Sequence, residues 1–271
     1  VEAAQCGVLI MPYLGPDLAA AMPYLEPHEF LGYLRELIGR MYELAQEGQM
    51  LADVKPNNLT VYEETLRIID VNLEKINEPM EVCTPMYQSP KSRQATKARE
   101  AVENDPDRYV WTIATIVLEY LEVCLTEDVF LAARLNRKPV SDAIKAILSL
   151  RQQLQISDMP KSARKLKKQI NKHLDSISYD ETEEEECESL QNILDDLGRF
   201  VLLHIHHYDG LTNKEEEDTY LQNSKVYLQS IDLLRGMFKP REDRLTFDDV
   251  MRCLNGEEAV DQHDNPEETP E

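Results

Sequence analysis

The stretch "YVWTIATIVLEYLEVCL", residues 109–125, constrains the fold more than any other part of the chain. It is apolar all round a helical wheel, so it cannot lie on a surface. It is short for a bilayer span, and Glu119 and Glu122 interrupt it, so it reads as a buried core helix of about 108–125. Such a helix needs other helices around it. The clearest starts at Pro27, where Phe30, Leu31, Leu34, Leu37, Ile38, Met41, Leu44 and Ala45 recur at helical spacing, with Gly48 at the expected C-terminus. Residues 140–235 carry several more helical patterns.

Between the first two helices the pattern changes. "LTVY" and "LRII" are short strand-like runs joined by "EET", which predicts a β-hairpin. Near the start, residues 7–14 read as a strand, "LGPD" as a turn and "DLAAAM" as the beginning of a short helix. The fold class expected is mainly α within the α+β family, a helical lobe with one small hairpin.

Charge narrows the partners. With 29 basic and 51 acidic residues the net charge is −22, which repels nucleic-acid phosphates and anionic membranes, so neither is an expected partner. Cys6, Cys83, Cys124, Cys187 and Cys253 are odd in number and scattered, with no zinc-type spacing, which fits an intracellular, cytoplasmic setting. No signal peptide is read, and the chain opens at Val1 on the apolar run "GVLIM", as a fragment whose start lies upstream would. "KSARKLKKQINK" (161–172) holds six basic residues and "DETEEEECE" (180–188) is nearly all acid. Such blocks predict a solvated helix face and a mobile loop, and the two are expected to pair with each other rather than with an acidic partner. His204 and His207 share a helix face and read as surface or interface residues. The acidic, Pro-containing tail 255–271 is expected to be disordered.

The chemistry gathers at the hairpin. Asp53, Lys55 and Asn58 lie on the loop before it and Asp70 just after it, and a hairpin folds its two ends together. Carboxylates with an amide, and no Cys or His, suit a hard cation such as Mg²⁺, with phosphate oxygens completing the shell. The lysine suits a phosphoryl oxygen, and one aspartate can deprotonate or orient a hydroxyl.

This spacing resembles that of a known family. "DVKPNN" is similar to the Asp-x-Lys-Pro-x-Asn catalytic loop of eukaryotic-type Ser/Thr protein kinases, and "IIDVNL" resembles their metal-binding Asp-Phe-Gly element. "VLIMPYLGPDL" resembles the hinge strand, "CTPMYQSPK" the end of the activation segment, "DRYVWTIATIVLEYLE" the buried helix that opens with an aspartate, here Asp107, and "GMFKPREDRLTFDDVM" the late segment with its arginine, here Arg244. The resemblance covers about residues 7–132 and 225–254. It implies a kinase-like C-terminal lobe over 1–254, with a hinge strand at 7–14, an unassigned insertion at about 133–225, and no counterpart of the Gly-rich smaller lobe in this chain. It implies ATP and Mg²⁺ as cofactors and a protein substrate or scaffold as partner. By the same resemblance Asp53 is the base and Lys55 steadies the γ-phosphate. Asn58 and Asp70 hold the metal. Met11, Pro12, Leu14, Asp17 and Thr60 line the nucleotide pocket, and Thr84 faces the substrate. Lys55 as a plain surface lysine and Asp17 as a turn stabiliser stay open. The departures are Leu51-Ala52-Asp53 for His-Arg-Asp, Asp70-Val71-Asn72 for Asp-Phe-Gly, with Asn72 tolerant of positive φ, and Thr60 for a leucine. Lys91 stands where the family has the glutamate that pairs with the late arginine, so Lys91 facing Arg244 would be a like-charge pair. Protein Ser/Thr kinase is the first functional expectation, and a catalytically silent kinase-like binding module is the alternative.

Overall fold

The computed structural model describes residues 14–79, 84–98, 100, 102, 104–135, 168, 169, 172, 182–207 and 214–256. The expected strand at 7–14, Met11, Pro12, most of the basic block and nearly all of the tail lie outside them, as do the side chains of His204 and His207.

At the centre is α4 (Arg108–Leu135), the helix expected from its apolar run, extended by ten residues. Residues from Tyr109 to Leu121 are buried with the sole exception of Glu119, which is half-buried. Among the described residues no helix is long and apolar enough to cross a membrane.

Sharing the core with α4 is α2 (Pro27–Gln46), preceded by the short α1 (Leu18–Ala21) and a 3₁₀ turn. A reciprocal capping box starts α2, between Glu26 and Glu29, and it ends before Gly48, whose φ of +76° favours glycine. Its buried face is Phe30, Leu34, Leu37, Ile38 and Met41, the spacing read in the sequence. Phe30 stacks on Tyr120 of α4 at 3.8 Å between ring centroids. Three further helices close the core: α5 (Glu183–His207), α6 (Lys214–Met237) and α7 (Phe247–Leu254). Trp111 meets Phe238 edge-on at 4.9 Å, and Tyr109 meets Phe247 at 5.6 Å.

Within the 133–225 stretch, α5 belongs to this core. On α5, Leu190, Leu194, Leu197 and Phe200 are fully buried. The acid block departs from the expected solvated face and mobile loop. From Glu183 onward it is the first turn of α5, and two of its carboxylates point inward. Glu186 pairs with the buried Arg93 and Glu183 with Arg244. Charge runs usually stay in water, but these two meet buried guanidinium groups that could not remain unpaired.

Among the described residues the strands are few and short. β2 (Leu59–Tyr62) and β3 (Thr65–Ile68) form the expected antiparallel hairpin, joined by Glu63 and Glu64, both at positive φ, so Thr65 is strand rather than turn. β1 (Gln49–Leu51) pairs with β4 (Leu73–Lys75), a second ladder too short to read from sequence. The turn before α1 is held by Gly15 at φ +87°, where an added Cβ would stand 2.1 Å from the Val61 carbonyl oxygen.

Candidate functional site

The two ladders place the hairpin loops. β1–β4 pairing continues into a bond from the Ala52 amide to the Asn72 carbonyl at 2.9 Å, and β2–β3 pairing continues into one from the Ile69 amide to the Asn58 carbonyl at 2.8 Å. The loop 52–58 and the loop 69–72 are thus stitched at both ends, and Asp53 and Asp70 lie inside the stitched region.

Asp53 is the hub. Its Oδ2 accepts from Lys55 Nζ at 2.5 Å, and its Oδ1 accepts from both the amide and the hydroxyl of Thr84, at 2.9 and 2.7 Å. Lys55 Nζ also donates to Thr84 Oγ1 at 3.0 Å, so the three side chains close a triangle. Lys55 is therefore half-buried in the cluster and is not a plain surface lysine. Burial works against the Asp53 charge, but the bonds from Lys55 and Thr84 outweigh it and hold the carboxyl below its usual range. Asn58 is buried, and its Nδ2 donates to the Asp53 carbonyl at 2.9 Å, which fixes the amide and leaves Oδ1 as its acceptor.

Asp70 is exposed and sits at φ +54°, a conformation that turns the chain out of β3 toward β4. The tolerance of Asn72 for positive φ is not used: the positive φ falls on Asp70, while Asn72 supplies the backbone oxygen that stitches the loop. Among the described residues no group of three or more His, Cys, Asp and Glu side chains is poised to hold a metal. A cation here would rest on Asp70 and Asn58 oxygens, with the remaining ligands from phosphate and water, a donor set that suits Mg²⁺.

The remaining sequence candidates spread around this centre. Asp17 is the N-cap of α1, its Oδ1 accepting from the Ala20 amide at 2.8 Å, and its Oδ2 accepts from Asn57 at 3.1 Å. It is thus a turn stabiliser tied to the same loop. Leu14 is half-buried just before that turn. Thr60 bridges Asp17 across the backbone, and among the described residues its buried hydroxyl has no hydrogen-bond partner.

No protein-family model matches this chain, and no curated protein matches it.

Three features were missed in the sequence. Tyr109, inside the apolar run, reaches the loop through its hydroxyl, which accepts from the Leu51 amide and donates to the Leu51 carbonyl at 3.3 Å. Asp107 stands directly before α4 as expected, and its side chain also accepts from the Phe247 amide at 3.0 Å, tying the first residue of α7 to that helix start. Glu119 accepts from the Tyr87 hydroxyl at 2.9 and 3.1 Å, and Thr112 donates to the Tyr87 carbonyl at 2.9 Å. Burial pushes the Glu119 carboxyl up to about 7, with Glu122 adding to the shift and the Tyr87 bond opposing it. Burial, and then Glu119, push the Tyr87 phenol far up. The signal was available: the two tyrosines and two glutamates in the apolar run each need a polar partner. The expected like-charge contact is also corrected. Arg244 faces Glu183, donates to the Lys239 carbonyl at 2.9 Å and lies 5.1 Å over the Trp111 ring, while Lys91 is exposed.

Proposed function

We propose that this chain carries the helical lobe of a Ser/Thr-type protein kinase, which transfers the γ-phosphoryl group of ATP to a protein hydroxyl. The observation that carries the reading is the closed Asp53–Lys55–Thr84 triangle, with Asn58 pinned to the backbone of the same loop. An anionic carboxylate beside a hydroxyl, with an ammonium bridging both, is what a hydroxyl acceptor and a phosphoryl donor require at one point. In this reading Asp53 takes the acceptor's proton and Lys55 neutralises charge on the transferred group. Asn58 and Asp70 would hold Mg²⁺, which would neutralise the phosphate charge. The Thr60 hydroxyl, buried and without a hydrogen-bond partner among the described residues, supports a polar ligand beside β2, because leaving such a group unpaired costs about 1–3 kcal/mol.

One observation favours the alternative, a kinase-like protein-binding module. Both oxygens of the Asp53 carboxylate are already engaged by the chain itself. The test uses the full-length protein as it occurs naturally, with Mg²⁺ and γ-labelled ATP. Label is expected to pass to protein serine or threonine, to be lost with Asp70→Ala, and to fall by at least about 100-fold with Asp53→Asn. Undiminished transfer by Asp70→Ala would remove the metal assignment. A wild-type protein that neither binds nucleotide nor transfers label would leave the binding module.

A further inference from the structure

The strap from Thr84 to Gln88 is anchored at three points. Its head, Thr84, is bonded to Asp53, and its middle, Tyr87, to Glu119 and Thr112 of α4. Its tail is held by an arginine of the next helix, which is itself held from a distance. Arg93, on α3 (Pro90–Ala98), donates from Nη1 to the Gln88 carbonyl at 2.6 Å and from Nη2 to Glu186 on α5. Arg93 and Glu186 are 0% and 2% exposed, so neither charge can turn to water. Glu183, one turn before Glu186 on the same face, takes Arg244 on the loop leading to α7. The neighbouring Glu184 and Glu185 are exposed, and Glu185 closes a capping box with Thr182. The acid run therefore has divided duties: two carboxylates clamp two arginines on separate elements, and the others sit at a helix N-terminus that favours negative charge.

We infer that the first turn of α5 is a clasp that sets the position of the Thr84–Gln88 strap, with Glu186 a positioning residue acting through Arg93. Two of the three anchors come from elements next to the strap in the fold core. The third, Arg93, lies only five residues past Gln88, but its carboxylate partner Glu186 is 93 residues away, so a change at the start of α5 reaches the strap through Arg93. Glu183 pairs in the same way with Arg244 on the loop leading to α7. The late arginine has its carboxylate after all, supplied by α5 rather than by the position of Lys91. The consequence for phosphoryl transfer rests on the kinase reading, because Thr84 is the substrate-facing residue there. The clasp itself does not rest on it.

The test is amide hydrogen exchange on the full chain, comparing wild type with Glu186→Gln. The variant keeps the shape and removes the charge. Exchange in residues 84–92 is expected to rise by about tenfold or more, with the amides of α2 and of β2–β3 unchanged. Asp195→Asn, which removes a different carboxylate of α5 by breaking its exposed pair with Arg235 of α6, is expected to leave residues 84–92 unchanged. If Glu186→Gln does not fold, Glu186→Asp keeps the charge, shortens the reach by one methylene, and should give the same local rise. An unchanged strap, or an equal rise throughout the lobe, overturns the inference. Transfer assays on the same proteins give a separate answer. If wild type transfers label, Glu186→Gln should raise KM for the protein acceptor more than KM for ATP. If wild type transfers none, the kinase reading fails while the exchange result still decides the clasp.

Discussion

Glu63 and Glu64 hold the hairpin turn at φ +51° and +58°, values natural to Asn-Gly and costly for a glutamate. Two consecutive positive φ angles define the tight turn whose twist matches that of the flanking strands. The strand pairing imposes this conformation against local preference. Glu63→Asn with Glu64→Gly is therefore expected to stabilise the protein by about 1 kcal/mol, read as a higher midpoint in urea denaturation with an unchanged slope. Asp70 shows the same tension with a different outcome, since its positive φ lies at the candidate site rather than on a distal turn. Strain at such a place is commonly functional. The residue types were legible in the sequence, but the angles were not, because only the pairing registers on either side fix them.

At the scale of elements, α4 does more than fill the core. Tyr109, Thr112 and Glu119 project from one side of it to the 51–58 loop and to the Thr84–Gln88 strap. A buried helix thus sets the separation between the two polypeptide segments that meet at Asp53. Tyr109→Phe keeps the packing against Phe247 and removes only the hydroxyl that serves the Leu51 backbone. The expected cost is about 1–2 kcal/mol in denaturant unfolding, because a buried amide loses its acceptor. Faster amide exchange at Leu51 is expected in the same variant. Helices α2 and α4 were readable because their apolar spacing repeats over several turns. β1 and β4 were not, because three-residue strands carry no usable period. The acid run was misread because charge is a local property, whereas its arginine partners lie 61 and 93 residues away.

At the scale of the whole molecule, the buried carboxyls decide how stability varies with pH. Glu119 is raised from 4.5 to about 7, so between these values the folded protein keeps a proton that the unfolded chain has lost. Its contribution is complete below pH 4.5 and is lost as the pH rises toward 7, at most about 3 kcal/mol. Asp53 acts in the opposite sense. Its lowered carboxyl adds stability above the unfolded value of 3.8, and that stability is lost as the pH falls through the lowered one. Glu119→Gln is expected to flatten the fall in thermal midpoint between pH 4.5 and 7, and an unchanged slope would assign the fall to another group. The sequence by itself determined helices α2 and α4, the hairpin and the placing of Asp53, Lys55, Asn58 and Asp70 at its ends, since each depends on local periodicity and short spacing. Only the tertiary structure decided which groups meet across the chain: Asp53 with Thr84, Tyr109 with Leu51, Glu186 with Arg93 and Glu183 with Arg244. Those contacts follow from how the helices pack, and a buried charge or hydroxyl takes the partner that packing brings within reach.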